Sequence, residues 1–378
     1  MKPLLPTSMN DEELLYSLAL TRIPGLGLAG MRKLWHACGN ATDIFRRRME
    51  LPELVTGSDK LVEALDCPPA FERARHELEF IRKNKIACLG YNDAEYPSRL
   101  RECGDAPTLL FYKGNTPLNQ LKVINLVGTR HATEYGKEIC HNFLRDLRQL
   151  CPEVLIVSGL AYGIDIHAHR AALEYGFPTI GVLAHGLDRI YPPSHRHTAV
   201  QMVQQGGLLT EFMSETNPDR QNFVMRNRIV AGMCDATIVV ESAAKGGALI
   251  TADLAEGYHR DCFAFPGRLY DPYSQGCNAL IRDNRAALIQ SAEEFVKAMC
   301  WDTGNTIPQP IQRQLFPDLT EEEEQIARTL QASPDGLPIN ELAMTSTLPV
   351  NKLSALLFEM EIKGVIQALP GNRYKTLL

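Results

Sequence analysis

Residues 222–232 (NFVMRNRIVAG) combine an aromatic ring with two guanidinium groups, just before an apolar run at 236–240. A phenyl ring such as that of Phe223 offers a face on which a nucleic-acid base can stack. The guanidinium groups of Arg226 and Arg228 are planar donors that match phosphate oxygens. The same pattern is also typical of a helix whose Phe and Ile pack in the core while its Arg side chains are solvated. Taken alone, the segment leaves an anion-binding and a purely structural interpretation open.

Short loops that could bind anions adjoin other apolar runs, and they share small, hydroxyl or cationic residues. They are Gly128, Thr129 and Arg130; Ser158 and Gly159; and Lys245, Gly246 and Gly247. Glycine lets the backbone approach an anion, and free N–H groups at a helix N-terminus bind phosphate oxygens. A single glycine at a strand–helix turn is usually structural. Several such loops at one sheet edge predict an extended anion site.

The motifs of several enzyme classes are missing from these loops. The first loop is not a GxGxxG fingerprint, and the chain has no GxxxxGK[ST] and no GxSxG, so a dinucleotide site, a P-loop and a hydrolase elbow are not supported. The pairs His167/His169 and His195/His197 lack the i, i+4 spacing and the Glu of hydrolytic zinc sites, so we predict no metal site. The acids that end two apolar runs could act as general bases, cap helices or pair with arginines; they are Glu211 and Glu241.

Length and composition set broad limits on the protein class. A chain of 378 residues predicts two or three domains, and a hydrophobic content of 45% can fill packed cores. The net charge of -6 argues against coating nucleic acid by bulk electrostatics but is compatible with a local basic groove. Ten cysteines without a CxxC pair indicate reduced thiols in a cytoplasmic protein. The start of the chain lacks the apolar stretch of a signal peptide and no run of 18 apolar residues occurs, so we expect no membrane association.

The middle of the chain alternates short apolar runs with helical stretches. The runs are 123–127, 154–157, 179–183, 207–210, 236–240 and 262–265. This alternation predicts an α/β fold with an extended Rossmann-like parallel sheet over residues 67–300, and residues 87–114 could add edge strands. Open sheets of this kind bind ligands at the carboxyl ends of their strands.

The two flanks differ from the middle. Residues 1–66 predict a helical domain of helix-hairpin-helix or SAM-like type, whose turn IPGLG at 23–27 could dock a phosphate or could simply tighten a helical hairpin. Residues 301–319 contain three prolines and indicate a linker. Residues 320–378 predict a winged-helix domain, and its eight acids against five Lys and Arg favour protein contact or regulation over DNA binding.

An ordered series of motifs between about 87 and 290 resembles the DprA/Smf family. It includes VGTR at 127–130, VSGLAYGID at 157–165, FVMRNR at 223–228 and GGALITA at 246–252. The resemblance implies an extended Rossmann fold that binds single-stranded DNA, forms a homodimer through that domain and loads the recombinase RecA onto strands taken up in natural transformation. Departures occur at His185, at His195 and at 283–285, where the family commonly has Cys, Asn and Gly-Ala.

The resemblance and the loops together imply a set of DNA-binding residues. The set is Gly128, Thr129, Arg130, Ser158, Gly159, Arg220, Asn222, Phe223, Arg226, Asn227, Arg228, Lys245, Gly246 and Gly247. We predict a binding protein without catalytic residues, cofactor or metal. The alternative is a nucleotide hydrolase that cleaves an N-glycosidic bond with Glu211 or Glu241, but the phosphate loop PGGxGT of such enzymes is replaced here by KGGALIT at 245–251.

Overall fold

The computed structural model describes residues 9–55, 59–301, 319–333, 336–346, 348–369 and 372–377. They form two compact units, one ending at Trp301 and the other following it. The predicted linker lies outside the described residues except for its two ends. Within the described ranges, no helix combines the length and apolar composition that crossing a membrane requires.

The first unit is built on one nine-stranded sheet with the order β1-β2-β6-β5-β4-β3-β7-β8-β9. Its strands are β1 Ala87–Gly90, β2 Leu109–Gly114, β3 Val123–Gly128, β4 Leu155–Ser158, β5 Thr179–Val182, β6 Gly206–Thr210, β7 Ala236–Glu241, β8 Asp261–Ala264 and β9 Ala287–Leu288. Strands β3 to β9 pair in parallel, whereas β1 and β2 form an antiparallel hairpin that pairs with β6. The α/β class, the six predicted central strands and the edge position of residues 87–114 are confirmed.

Helices cover both faces of this sheet. They are α1 Asp11–Leu20, α2 Leu28–Cys38, α3 Ala41–Arg46, α4 Leu51–Leu54, α5 Asp59–Ala64, α6 Pro68–Asn84, α7 Ser98–Arg101, α8 Glu134–Leu150, α9 Ile164–Glu174, α10 Arg196–Gln205, α11 Arg220–Gly232, α12 Gly247–Gly257, α13 Gln275–Arg282 and α14 Ala292–Ala298. Alternate residues of a strand point to opposite faces, so Val123 and Val127 pack with α11 and α12 while Ile124 and Leu126 pack with α8, α9 and α14. Two cores therefore hold the loops at the carboxyl edge from both sides.

The N-terminal helices and the edge hairpin share a third core. Cys88, Leu109 and Phe111 of the hairpin are buried among the apolar side chains of α1 to α6, together with Met213. The sequence boundary at residue 66 therefore does not coincide with a boundary in packing. A buried carboxylate strengthens this junction, because Glu77 accepts hydrogen bonds from the backbone N–H of Ser214 at 3.0 Å and from its hydroxyl at 2.5 Å.

The helix-hairpin-helix pattern is present as α1, a turn with Gly25 at φ +75°, and α2. Most of its basic residues have partners within the chain. Arg46, Arg47 and Arg48 form ion pairs with nearby acids, and Arg32 donates to the carbonyl of Cys103 at 3.2 Å. These contacts favour the structural interpretation of the turn over a phosphate site.

The second unit is a winged helix, as predicted. It contains α15 Glu321–Gln331, α16 Ile339–Ser346, α17 Val350–Ile362 and the strands β10 Leu337–Pro338, β11 Ile366–Leu369 and β12 Arg373–Thr376. Helix α15 begins with a capping box, in which Thr320 and Glu323 satisfy each other's backbone N–H groups. Ile326, Leu342 and Leu357 belong to a buried apolar cluster, so this unit has a hydrophobic core of its own.

Candidate functional site

The loops that follow β3, β4 and β7 meet at the carboxyl edge of the sheet. The N–H of Thr129 donates to the carbonyl of Glu241 at 2.7 Å, and the carbonyl of Thr129 accepts from the N–H of Ile164 at 3.1 Å. Gly163 has φ +79°, and a Cβ there would lie 2.0 Å from the Thr129 oxygen. Only glycine therefore allows the loop after β4 to approach the loop after β3 so closely.

These loops and α11 enclose a groove of about 400 Å³. The predicted residues that line it are Gly128, Thr129, Arg130, Gly159, Arg220, Phe223, Arg226, Asn227, Lys245, Gly246 and Gly247. Four of its lining residues are cationic, and Asp165 is the one acid among them. The groove is therefore an electropositive site with one aromatic ring, although the whole chain is acidic.

Arg226 forms the floor of the groove. Its side chain is buried, with one Nη donating to the carbonyl of Val182 at 2.7 Å and the other 4.0 Å from the carboxylate of Asp165. Its buried Nε has no hydrogen-bond partner within the described chain. Burial lowers the pKa of the Arg226 guanidinium and raises the pKa of the Asp165 carboxyl, because the charged form of each group loses hydration in the fold.

Gly159 lies directly against this guanidinium. A Cβ at Gly159 would be 1.7 Å from Nη1 of Arg226. Any larger residue at this position would displace Arg226, so Gly159 exposes the loop backbone to the groove while leaving room for the cation below.

Arg130 and Phe223 form a stacked pair at the mouth of the groove. The guanidinium carbon of Arg130 lies 4.8 Å from the centroid of the Phe223 ring, and Arg226 approaches the same ring at 6.0 Å. The ring of Tyr191 packs edge-on against Phe223 with centroids 6.1 Å apart. Because an exposed cation–π contact is worth about 0.5–1 kcal/mol, a base can replace Arg130 on the ring or stack on the guanidinium plane itself.

The N-terminus of helix α12 forms part of another wall of the groove. Gly246 is its N-cap residue, and no side chain caps the first turn. The first N–H groups of a helix have no intrahelical acceptor, and the helix dipole favours an anion at this end. The exposed side chain of Lys245 lies beside them. This wall is suited to a phosphate group.

Three predicted residues lie outside the groove. Arg228 is buried and forms an ion pair with Glu211, so it does not line the groove, and its predicted contact with the DNA backbone stays a prediction. Ser158 is buried and its hydroxyl donates to the carbonyl of Leu126 at 2.6 Å, which makes it part of the sheet edge. The amide of Asn222 donates to the carbonyl of Asn217 at 2.9 Å and stabilises the entry to α11.

The two candidate general bases are also engaged within the fold. Glu241 accepts from the backbone N–H of Thr133 at 2.9 Å and from its hydroxyl at 2.5 Å, and thereby holds the start of α8. Burial raises the pKa of Glu211 even though Arg228 opposes this effect. Neither carboxylate lines the groove.

One histidine of each pair is buried and hydrogen-bonded within the fold. Nδ1 of His169 is 2.7 Å from the hydroxyl of Thr179, and Nδ1 of His195 is 2.9 Å from the carbonyl of Leu160. Burial lowers the pKa of His169 to about 3. Among the residues that the structure describes, no group of three or more His, Cys, Asp or Glu side chains is arranged around a possible metal position.

Sequence reasoning missed two contributors to the site. Asp165 ends the VSGLAYGID motif, and its position at the start of α9 after the Gly163 turn is the signal that could have placed it at the edge. Tyr191 lies more than thirty residues from Phe223 in sequence, so no local pattern links the two rings.

Sequence profiles match the chain in two regions. The family described as DNA recombination-mediator protein A matches residues 87–300, which is more than half of the chain. The chain belongs to the DprA/Smf family. A second profile, the DprA winged helix domain, matches residues 312–372.

Curated members of the family are similar over much of their length. The DNA processing protein DprA of Bacillus subtilis is 39% identical over 220 residues, which are 58% of this chain and 73% of that protein. Protein Smf of Escherichia coli is 33% identical over 288 residues, or 73% of this chain and 74% of that protein.

Solved DprA structures share the fold. DprA from Streptococcus pneumoniae aligns with a TM-score of 0.61 and 31% identity over 76% of this chain and 98% of its own. DprA from Helicobacter pylori, described with its single-stranded DNA binding mode, aligns with a TM-score of 0.52 and 29% identity over 57% of this chain and 96% of its own.

Proposed function

We propose that the groove at the carboxyl edge binds single-stranded DNA. The observation that carries the proposal is the combination of four cationic side chains, free helix N–H groups and the Arg130–Phe223 stack in one open groove. Cations and N–H groups bind the phosphates, and the aromatic ring binds an unpaired base. The Helicobacter pylori relative, whose single-stranded DNA binding is described, supports this choice of ligand.

The geometry also indicates little sequence preference. Arg130, Arg220 and Lys245 are exposed cations suited to phosphate oxygens, and Phe223 offers only a π-face, which every base can use. The protein therefore selects strandedness rather than sequence, because a duplex keeps its bases paired and turned away from the ring.

The test is a titration of labelled oligonucleotides, single-stranded and blunt double-stranded, at two salt concentrations. We expect clear preference for the single strand and a log–log salt slope of about -0.7 for each neutralised phosphate. The matched control is Arg145→Ala, which removes the same unit of positive charge. Arg145 lies on α8, about 16 Å along the helix axis from the N-terminal end that follows the Arg130 loop. Equal affinity for duplex, or an equal loss in Arg145→Ala and Arg130→Ala, would contradict the proposal.

The proposal extends to the role of the bound strand. We infer a non-enzymatic, cytoplasmic homodimer that protects incoming DNA and loads RecA during transformation. The family description as a recombination mediator supports the RecA step, and the ten free cysteines support a reducing compartment. Sedimentation of the purified protein tests the dimer, and the rate of RecA assembly on a protein-coated single strand tests the loading.

A further inference from the structure

The loop after β8 carries two large side chains that are unusually exposed to solvent. Leu269 is 77% exposed and Tyr270 is 93% exposed. Single exposed apolar side chains are common on protein surfaces, so what indicates a contact here is the ring and a cation lying together beside the groove. Arg268 beside them is also exposed, and it forms no ion pair in the part of the chain that the structure describes.

The base of this loop is held firmly even though its tip is open. Asn278 accepts from the N–H of Gly267 at 3.1 Å and donates to the carbonyl of the same residue at 3.0 Å. The hydroxyl of Tyr135 donates to the carbonyl of Pro266 at 2.6 Å. A Cβ at Gly267 would lie 2.0 Å from the hydroxyl of Ser274, so the turn itself is close-packed. The tip residues are therefore presented from a rigid support.

The loop is continuous with the groove. The N–H of Ser242 donates to the carbonyl of Tyr273 at 2.7 Å, which joins the loop to the segment that leads to Lys245. The ring of Tyr273 lies 6.1 Å from that of His131, the neighbour of Arg130. In the sheet, β3, β7 and β8 are adjacent, so the loop after β8 lies two strand spacings, about 10 Å, from the loop that carries Arg130.

The charge of the loop also suits a strand of DNA. The carboxylate of Asp271 accepts from the N–H of Tyr273 and the hydroxyl of Ser274, both at 3.1 Å, so it is held at the base of the loop by these bonds while it keeps its negative charge. Arg268 thus supplies the available charge at the tip, next to a tyrosine ring. The loop thus offers the same two residue types, a cation and an aromatic ring, that the groove presents with Arg130 and Phe223.

We propose that the loop at 268–271 is a second contact point for single-stranded DNA, in which Tyr270 stacks on a base and Arg268 binds a phosphate after the strand has passed the groove. This inference rests on the proposed function of the groove. It means that the site runs along the carboxyl edge from β4 to β8, and that affinity rises when an oligonucleotide becomes long enough to reach both aromatic rings.

The test measures affinity against oligothymidylate length, from about 2 to about 16 nucleotides, for wild type and four variants, Tyr270→Ala, Tyr270→Phe, Phe223→Ala and Leu121→Ala. Tyr270→Ala should bind the shortest oligonucleotides like wild type and should lose about 5- to 150-fold for the longest, the range given by one stacked base. Tyr270→Phe should retain wild-type affinity at every length. Leu121→Ala, whose side chain is 89% exposed before β3 at the opposite edge, is the matched control and should change nothing.

The outcomes separate the inference from the function on which it rests. If wild type binds strongly and Phe223→Ala weakens binding at all lengths, but Tyr270→Ala matches wild type at all lengths, the second contact point is refuted and the groove stands. If wild type binds no oligonucleotide, the proposed function itself fails. If light scattering shows that Tyr270→Ala breaks a dimer and loses affinity equally at every length, the loop is an interface between copies and the inference is overturned.

Discussion

Replacing Arg130 and Phe223 separately and together tests whether the groove binds DNA by two physically different contacts. Arg130→Ala removes a phosphate contact, and Phe223→Ala removes a stacking face that is worth about 1–3 kcal/mol, or about 5- to 150-fold in affinity. A lost phosphate contact lowers the salt slope by about 0.7. Between about 50 and 200 mM salt, the defect of Arg130→Ala should therefore shrink about 2.6-fold. The defect of Phe223→Ala should stay constant over the same range.

The two side chains also contact each other, which fixes the behaviour of the double variant. Their cation–π contact at 4.8 Å is worth about 0.5–1 kcal/mol, and it exists before DNA binds. The effects of the two substitutions should therefore depart from additivity by about this amount, as is usual for residues in contact. The assay is fluorescence anisotropy of a labelled single strand at both salt concentrations, with Arg145→Ala as the control for net charge. Salt responses that are identical for both single variants, or strict additivity, would refute the two-contact model.

Three further predictions concern other parts of the molecule. A chain ending at Trp301 should keep its affinity for single-stranded DNA within about twofold, because the winged unit has a core of its own. Anisotropy measures the affinity, and a melting curve checks that the shortened chain is folded. A folded chain that does not bind would show that the winged unit contacts DNA. Arg228→Ala should lower the free energy of unfolding, measured in urea, by about 3–5 kcal/mol, because it leaves Glu211 buried and unpaired. The double variant Arg228→Met with Glu211→Leu should restore most of the lost stability. Equal instability of the single and double variants would contradict the role of the buried pair. Burial lowers the pKa of His169 to about 3, against about 6.5 in an unfolded chain. The contribution of neutral, buried His169 to the free energy of unfolding is therefore complete above pH 6.5, and it is lost as the pH falls and the unfolded chain takes up a proton. From pH 7 to 5 the loss should be about 2 kcal/mol, and His169→Asn should show a smaller loss, so parallel pH dependences in denaturant titrations would count against this assignment.

The fold was largely predictable because its strands are marked by local composition. Runs such as 123–127 and 236–240 are buried on both faces, and they became β3 and β7 with nearly the predicted bounds. The short β9 at Ala287–Leu288 escaped prediction because a two-residue strand is too short for an alternating or continuous apolar pattern to distinguish it from a helix or a loop.

The site was predictable in its loops but not in its buried polar partners. Arg130 and Lys245 could be placed because they lie in the loops that follow β3 and β7, two neighbouring parallel strands whose carboxyl ends share one edge. The roles of Arg226 and Arg228 could not be separated from sequence, since both lie on α11 two residues apart and both are buried. Arg226 forms the floor of the groove, whereas Arg228 pairs with Glu211. This difference depends on which strand end each side chain reaches in three dimensions.

The hydrogen bonds between Glu77 and Ser214 have a consequence for the synthesis of the chain. They join residues 137 positions apart, and the core of the N-terminal helices also includes Met213. At the usual ~5–20 residues per second, a ribosome needs about 7–27 s to make the intervening chain. During that interval the helices are complete but one face of their core is not covered. Nascent chains interrupted between these residues should therefore be recognised by chaperones and proteases, even though their helical segment is already whole.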